Sequence, residues 1–319
     1  FRFYINVPRF LLYFLAMIAT AFIWYGVEIL VNGPEFMIDF TIRQWAMFKS
    51  QDAGHGGFPG YHFIVLLLGC FPASVFLIRA HGKLPLKRYA EQDMRRWMLY
   101  LFWVVLILFT IVKTKIVHYS SMTYFPLTFL AAQVIYYILK DEVKLSGWMK
   151  GTLLFIALLF GIVLIALPFA GMNVELIRPL FSQDPFASAN LDADIPWTGL
   201  EALAGVVLIG ITLAFLKFHG SEKKPLAYKV LFGGTGFFVL LTLILIIKKI
   251  EGISQNAAME FYASKAGCDC YVKPENFKSY GHLFYSEVMP GGDERRTDAQ
   301  WLKYGDIDRD VFFVTKVTG

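Results

Sequence analysis

Charged residues are scarce in this chain of 319 residues. Asp, Glu, Lys and Arg make up 17% of it and apolar residues 56%, whereas soluble domains carry roughly 25% charged and about 45–50% apolar residues. Too few polar residues remain to cover the surface of a water-soluble globule of this size. The composition also excludes a disordered, collagen-like or low-complexity chain. Together with a mean hydropathy of +0.52, it indicates a polytopic membrane protein.

Cysteine is equally scarce: Cys70, Cys268 and Cys270 are too few for a disulfide-stabilised scaffold. Only one residue separates Cys268 from Cys270, a spacing too short for a relaxed disulfide between them. Free thiols and an unusual strained bridge are the alternatives, and we expect free thiols. The sequence also lacks an internal repeat with a period of about 20–50 residues.

Seven apolar runs are long enough, or nearly so, to cross a bilayer core of roughly 30 Å as helices. None carries Asp or Lys near its centre, where lipid penalises a charge by about 2.5–3.5 kcal/mol. The third run is short, but flanking Lys and Arg residues can snorkel to the headgroups. The first run is too long for a signal peptide, and no small-residue cleavage site follows it. The predicted spans are Phe10–Val31, Tyr61–Ile78, Met98–Val112, Met122–Leu139, Gly151–Phe169, Leu200–Leu216 and Val230–Ile247.

The Lys and Arg residues of the loops favour one side of the predicted spans. Fifteen lie on that side, and the opposite side carries only Arg43, Lys49, Lys113, Lys115 and Arg178. The positive-inside rule places the richer side in the cytoplasm. The tail after Ile250 then lies outside, because an odd number of spans precedes it. We therefore expect a transmembrane helical region over residues 1–250 and a small extracytoplasmic α/β domain over residues 251–319.

The first outer loop, residues 32–60, is long for a connector. Apolar residues between Phe36 and Phe48 alternate with polar ones, which predicts an amphipathic helix lying at the membrane interface. Four glycines and a proline follow, and they break the helix and let the backbone approach a ligand. Asp52 and His55 in this stretch fit either a solvated turn that caps a helix or an acid/base or metal-binding site.

Two of the few outer basic residues, Lys113 and Lys115, follow the third predicted span at the membrane edge. They fit two interpretations. One is a pair of snorkelling anchors, which is the more common role of lysine at this position. The other is a phosphate site at the surface of the outer leaflet, where lysine binds as a point charge.

The tail is richer in charge, and its apolar residues form short patches. Ser254 as N-cap and Gly267 as stop predict a helix between them. Cys270–Val272, His282–Tyr285 and Val311–Thr315 are predicted strands, and Trp301–Gly305 predicts a second short helix;. A domain of about 65–70 residues is small enough to need support from the membrane bundle. The outer loop from Gly171 to Trp197 is predicted to be partly ordered against that bundle, with no assigned chemistry.

Two segments carry a resemblance to a known family. Asp52–Tyr61 precedes a helix that ends Gly69–Pro72, and Lys113–Tyr119 precedes a helix entrance with Tyr124–Pro126. Both resemble the polyprenyl-phosphate-sugar-dependent membrane glycosyltransferases of the GT-C type, which include lipid A aminoarabinose transferases and relatives of protein O-mannosyltransferases. The tail segments Ser254–Ala258, Lys278–Tyr285 and Phe313–Lys316 are similar to the extracytoplasmic domain of bacterial members. Val117 and Thr123 depart from the family pattern, since proline is common at both positions.

The resemblance implies transfer of a sugar from a polyprenyl-phosphate donor to a lipid, glycan or protein acceptor. Lys115 would stabilise the charge that develops on the leaving phosphate, with Lys113 beside it. His118 and Tyr119 would donate further hydrogen bonds to the phosphate. His55 would be the second catalytic residue, orienting the acceptor or binding a divalent metal ion.

Asp52 and Tyr61 complete the implied substrate site. The resemblance implies no specific cofactor, and it allows a divalent metal ion as an alternative. The implied location is the bacterial inner membrane, within the cell envelope, with the tail in the periplasm. Membrane lipids are expected partners, and nucleic acid is not.

Members of this family carry an acidic pair in the first outer loop of a longer chain, and one member of the pair is the presumed base. This sequence begins at Phe1, in what would be the middle of such a protein, so we expect the N-terminal half to be missing here or to be a separate chain. Two other functions stay open. A transporter or flippase for lipid-linked sugars needs a similar amphipathic groove, but it often shows internal repeats and charges at mid-membrane. A non-catalytic membrane subunit is the third alternative.

Overall fold

A computed structural model describes residues 6–50, 56–221, 223–277, 279–289, 291 and 294–316. Helices dominate it, and a two-stranded sheet lies near the C-terminus. Contacts divide the chain into two compact units. Unit 1 comprises Phe1–Cys70 and Leu86–Leu130, and unit 2 comprises Phe71–Pro85 and Ala131–Gly319.

The helices and strands alternate with short connections along the chain. The α-helices are α1 (Val7–Asn32), α2 (Glu35–Lys49), α3 (Tyr61–Gly69), α4 (Ala73–Ala80), α5 (Tyr89–Ile111), α6 (Tyr124–Leu139), α7 (Gly147–Met172), α8 (Val174–Ile177), α9 (Pro185–Asn190), α10 (Leu203–His219), α11 (Lys224–Thr242), α12 (Lys248–Ser254), α13 (Asn256–Ala263), α14 (Gly281–Tyr285) and α15 (Ala299–Tyr304). The strands are β1 (Tyr271–Glu275) and β2 (Val311–Thr315). Short 3-10 helices cover Val117–Thr123, Arg178–Phe181, Leu200–Ala202 and Glu294–Thr297, and a π-helical turn, Leu243–Ile247, joins α11 to α12.

Within the described ranges, six helices are long and apolar enough to cross a membrane. They are Val7–Asn32, Tyr89–Ile111, Val117–Leu139, Gly147–Met172, Leu200–His219 and Lys224–Ser254. A seventh crossing is counted if α3 and α4 form one interrupted span. The interruption falls at Pro72, whose missing N–H cannot continue a helical ladder. The described residues thus contain six or seven candidate spans, as in a polytopic membrane protein.

The span predicted as Met98–Val112 is longer in the structure, where α5 begins at Tyr89. Its first turns carry charges that hydropathy alone does not assign to a span. Arg96 and Asp93 pair across one turn of the helix, at 3.2 Å between Nη1 and Oδ1. Such a pair supports the helix locally and extends it beyond the apolar run.

Helix α1 in unit 1 contains no buried residue, and its apolar side chains are exposed along its whole length. It packs against α2, which follows after the turn at Gly33. The helix predicted in the first outer loop is confirmed as α2, and Phe40, Ile42 and Trp45 are exposed on it. Exposed apolar side chains on helices of this kind are what lipid contact requires.

Unit 2 contains a bundle in which α10 packs against both α7 and α11. The α7–α10 contact is very close at Gly161 and Gly205. A Cβ atom built on Gly205 would lie 2.2 Å from the carbonyl oxygen of Gly161. Small residues allow helix backbones to approach in this way, and they are typical of membrane helix interfaces.

The prediction that residues 171–197 are partly ordered against the bundle is confirmed. This loop contains α8 and α9, and the Trp197 ring occupies the space beside Gly171. Lys249 of α12 pairs with the buried Glu201, at 2.9 Å between Nζ and Oε1, and it also donates to the Pro196 carbonyl. These bonds fix the end of the loop to the beginning of the 200–219 span.

The C-terminal segment of unit 2 pairs β1 with β2 in parallel, with Tyr271 opposite Val311. A parallel pair needs a crossover connection, and α14 and α15 lie within it. The strands predicted at Cys270–Val272 and Val311–Thr315 and the helix predicted at Trp301–Gly305 are confirmed to within a few residues.

Three predictions for this segment are wrong. His282–Tyr285 belongs to helix α14 and not to a strand, because its backbone continues the helical turn that begins at Gly281. Ser254 is not an N-cap, because its hydroxyl bonds back to the Ile250 carbonyl inside α12. Cys268 and Cys270 are not free thiols but form a disulfide, since a Cα separation of 5.3 Å lies within the range that disulfides span.

Candidate functional site

Lys115 follows the end of helix α5 and is 5% exposed. Its Nζ donates to the carbonyl oxygens of Phe109 and Thr110, both at 2.7 Å, and of Val112, at 2.6 Å. The last carbonyls of a helix have no partner within the helix, and cations stabilise this negative end. An ammonium carries three N–H donors. All three are used here, so Lys115 caps the C-terminus of α5.

Burial lowers the pKa of the Lys115 ammonium, because water that would stabilise its charge is excluded. The three carbonyl dipoles replace part of that hydration. A phosphate could reach this ammonium only by displacing at least one carbonyl. The phosphate role of Lys115 therefore stays a prediction, and it requires a conformation other than the one described.

Thr114 joins the segment after α5 to the end of α2. Its hydroxyl lies 3.0 Å from the Met47 carbonyl oxygen and 2.8 Å from that of Ser50. The backbone N–H of Lys113 lies 3.4 Å from the Phe48 carbonyl oxygen. The C-terminal end of α2, like that of α5, thus receives donors from residues 113–115.

The glycine-rich loop meets the same segment from another side. A Cβ atom built on Gly57 would lie 3.0 Å from Cγ of Lys115 and 3.4 Å from Cδ2 of Tyr61. Only a residue without a side chain leaves this close approach undisturbed. Tyr61 begins α3 and is half-buried, so its ring lies beside the Gly57–Lys115 contact.

His62 is fully buried, and its Nδ1 lies 3.1 Å from the Ser120 hydroxyl oxygen. Its ring packs against the rings of Tyr61 and Phe109. Its Nε2 has no hydrogen-bond partner among the residues that the structure describes. These contacts place His62 in the packing between α3, α5 and the 117–123 turn.

Lys113 and His118 are the exposed cationic and titratable groups of this cluster. Within the described ranges, the Lys113 ammonium makes no ion pair or hydrogen bond. The His118 ring lies edge-on to the Tyr119 ring, at 5.2 Å between centroids. The Tyr119 hydroxyl lies 3.3 Å from Sδ of Met47. Lys113 and His118 are therefore the groups that an incoming anion meets first.

Two predicted site residues, Asp52 and His55, lie outside the described residues. Ser50, just before the undescribed segment, contacts Thr114, and Gly57, two residues after His55, contacts Lys115. Over the part of the chain that is described, no group of three or more His, Cys, Asp or Glu residues is arranged to hold a metal ion. The metal site predicted at His55 falls outside that part.

Comparison of the chain with protein-family models, with curated proteins and with solved structures finds no match. The functional conclusions therefore depend on the residues and contacts described above.

Two members of this cluster were not anticipated from the sequence. Thr114 stands between two lysines in a loop, and nothing in its local pattern indicates that it binds the end of α2. Ser120 was likewise not singled out. Alternation in an extended segment gives no signal for this arrangement, because it places Lys113 and Lys115 on the same side and Thr114 on the other. Here Lys113 is exposed, whereas Thr114 and Lys115 are buried.

Proposed function

We propose that this chain is part of a membrane glycosyltransferase that takes its sugar from a polyprenyl-phosphate donor. The observation that carries the proposal is the meeting of two segments far apart in sequence. Gly57 of the glycine-rich loop packs against Lys115, and Thr114 bonds to the end of α2. These are the segments that resemble the family, and a shared substrate is one reason for them to lie together.

In the proposed site, Lys113 and His118 contact the donor phosphate. Both are exposed, and neither has to break an ion pair within the described chain to do so. A cation beside the phosphate stabilises the charge that develops as the glycosidic bond breaks. The Tyr119 hydroxyl, whose partner is a weak sulfur acceptor, supplies a further donor.

Lys115 acts in this proposal as a positioning residue. By capping α5 it fixes the peptide that carries Lys113, two residues earlier. A direct phosphate contact by Lys115 is the alternative. The two roles predict different behaviour: a cap affects folding when it is removed, whereas a phosphate ligand affects turnover alone.

The proposal keeps Asp52 and His55 at the site as acceptor-orienting or metal-binding residues. The base that deprotonates the acceptor is expected from another segment or chain. We also propose the bacterial inner membrane as the location and the periplasmic side for the C-terminal segment. The excess of Lys and Arg in the opposite loops supports this orientation.

Lipid binding tests the phosphate site directly. The full chain in nanodiscs is titrated with undecaprenyl phosphate and with undecaprenol, which has the same tail without the phosphate, and binding is followed by native mass spectrometry. We expect at least tenfold tighter binding of the phosphate lipid. Lys113→Met should remove most of that preference. Lys83→Met is the matched control, because Lys83 is exposed in the loop before α5 and lies far from the cluster in sequence.

Transfer is tested with the full gene product in its own membranes, as release of undecaprenyl phosphate from radiolabelled undecaprenyl-phosphate sugars. Release that depends on Lys113 supports the transferase. Equal binding of both lipids by the unmodified chain, or an unchanged preference in Lys113→Met, would overturn the phosphate site. Phosphate-dependent binding without release from any donor sugar would favour the flippase or subunit alternatives.

A further inference from the structure

The C-terminal segment of unit 2 contains a cavity of about 690 Å³, within the size range of small-molecule sites. It lies beside β1 and α14, and the Cys268–Cys270 disulfide forms part of its wall. Neither the family resemblance nor the proposed transferase site accounts for it. Its lining combines charged side chains with the rings of Tyr271, Phe277 and Tyr280.

Among the described residues, the charged side chains of the lining have a positive excess. The basic residues are Lys273, Arg296 and Arg309, and the acidic residues are Asp269 and Glu287. Arg309 is engaged by Asp269 and by Asp308, which lies outside the lining. Lys273 differs, because its Nζ donates to the Thr297 backbone carbonyl at 2.7 Å. That acceptor is neutral, and within the described ranges no carboxylate balances the Lys273 charge.

His282 lies in the same wall, and its Nδ1 is buried without a hydrogen-bond partner among the described residues. Burial and the nearby charge of Lys273 lower the pKa of this imidazole, while the Ser279 backbone carbonyl acts in the opposite direction. A buried polar atom without a partner is uncommon in native structures and needs an explanation. A ligand oxygen becomes that partner once the ring turns, because this nitrogen is buried within the wall and does not face the cavity directly.

The lining also identifies the kind of molecule. An oxyanion would accept hydrogen bonds from both an ammonium and an imidazole N–H. The remaining wall mixes polar groups with aromatic faces, which suits a sugar ring with its hydroxyls and its apolar C–H face. The volume exceeds what an inorganic ion needs and fits a small saccharide.

We propose that this cavity binds a small anionic saccharide, whose phosphate or carboxylate group is held by Lys273 and His282. The aromatic side chains of the wall contact the sugar ring. Phosphate esters and uronic acids share this chemistry, and binding measurements distinguish them. Its described lining shares no residue with the lipid-phosphate site in unit 1.

Isothermal titration of the full chain in detergent tests the proposal, with glucose 1-phosphate and glucuronate as probes and glucose as the uncharged reference. We expect at least one anionic sugar to bind at least tenfold more tightly than glucose, and the tighter of the two identifies the anionic group. Lys273→Met should weaken that binding at least tenfold. Lys303→Met is the matched control, because Lys303 is exposed on α15, pairs with Glu275 and does not line the cavity.

A second variant keeps the test valid if Lys273→Met disturbs the fold, as judged by its proteolysis pattern. Lys273→Gln retains a donor for the Thr297 carbonyl but removes the charge, and it should lose affinity for the anionic sugar to a similar degree. Lys113→Met should leave this binding unchanged, which separates the cavity from the lipid-phosphate site. Glucose bound as tightly as both anionic sugars, or full affinity retained in Lys273→Gln, would overturn the proposal.

Discussion

Gly57 lies directly against the side chain of Lys115: a Cβ atom built on the glycine would come within 3.0 Å of the lysine Cγ and 3.2 Å of its Cβ. The contact joins the glycine-rich loop before α3 to the segment after α5. The Lys115 side chain is held at both ends, because its stem packs against Gly57 and its ammonium donates to three carbonyls. The loop, the lysine and the end of α5 therefore depend on one another.

Gly57→Ala should lower stability by about 1 kcal/mol, toward the low end of what overpacking costs. The added methyl group displaces the lysine stem, and the stem can shift only by loosening its carbonyl bonds. Gly69→Ala is the control, because nothing lies within 4 Å of a Cβ at that position. Thermal unfolding in detergent measures both variants. An equal midpoint for Gly57→Ala and the unmodified chain would contradict the close contact.

Lys115→Met should destabilise the chain by roughly 3 kcal/mol, because several buried carbonyls at the end of α5 lose their donor. Lys113→Met removes an exposed ammonium two residues away and should change stability by only about 0.5 kcal/mol or less. Unfolding in mixed detergent, followed by tryptophan fluorescence, measures both. If the two variants lose the same stability, Lys115 is not a helix cap. Direct phosphate binding by Lys115 is then the favoured role.

The sequence identifies the spans and both segments of the candidate site because these depend on hydropathy and local pattern. It does not predict the role of Lys115, since a lysine at a membrane edge looks the same whether its ammonium faces lipid phosphate or the carbonyls of its own helix. The deciding carbonyls belong to residues three to six positions earlier, and their position depends on how the chain turns after Val112. The interruption at Pro72 is visible in the sequence, but its effect on the number of spans is not.

In the C-terminal segment, too, tertiary contacts decide features that the local sequence pattern does not predict. Val311–Thr315 is rich in β-branched and aromatic residues, and this predicts a strand correctly. His282–Tyr285 has a similar apolar and aromatic content, but it packs as a helix against α13. In so short a segment, tertiary contacts override the residue preference. The same contacts form the cavity that no local pattern indicates.

Gly205→Ala should destabilise the bundle of unit 2 by about 1–3 kcal/mol. The new methyl group would overlap the Gly161 carbonyl oxygen, which is backbone and can move only with α7 itself. Gly210→Ala on the same helix has open space around its Cβ, and it should be neutral or up to about 1 kcal/mol more stable, because alanine favours helix. The difference between their unfolding midpoints is the measurement. Equal effects of the two variants would mean that α7 and α10 do not cross at these glycines.

Cysteine alkylation should find one reactive thiol in the denatured, unreduced chain. Cys70 is free, and Cys268 is joined to Cys270. Reduction before alkylation should raise the number of labelled cysteines to three, as read by the mass of the intact protein. Three labelled cysteines without reduction would restore the prediction made from the sequence. A Cys270→Ser variant should instead show two labelled thiols without reduction.

The environment of His282 predicts a pH-dependent opening of the C-terminal segment. Burial and the charge of Lys273 lower the pKa of His282 below its ordinary value of 6.5, against the opposing effect of the Ser279 carbonyl. Between pH 6.5 and the lowered pKa, an opened segment takes up a proton that the closed one does not. Closure therefore weakens as pH falls through this window.

Hydrogen exchange of α13, whose Tyr262 ring lies 6.2 Å from that of His282, reports this opening. After correction for intrinsic rates, protection should be lower at pH 5.5 than at pH 7.5 in the unmodified chain. His282→Gln should remove most of that difference, because a glutamine does not titrate, while Lys273, whose charge acts on the ring, stays in place. A pH dependence that persists undiminished in His282→Gln would assign the opening to a different group.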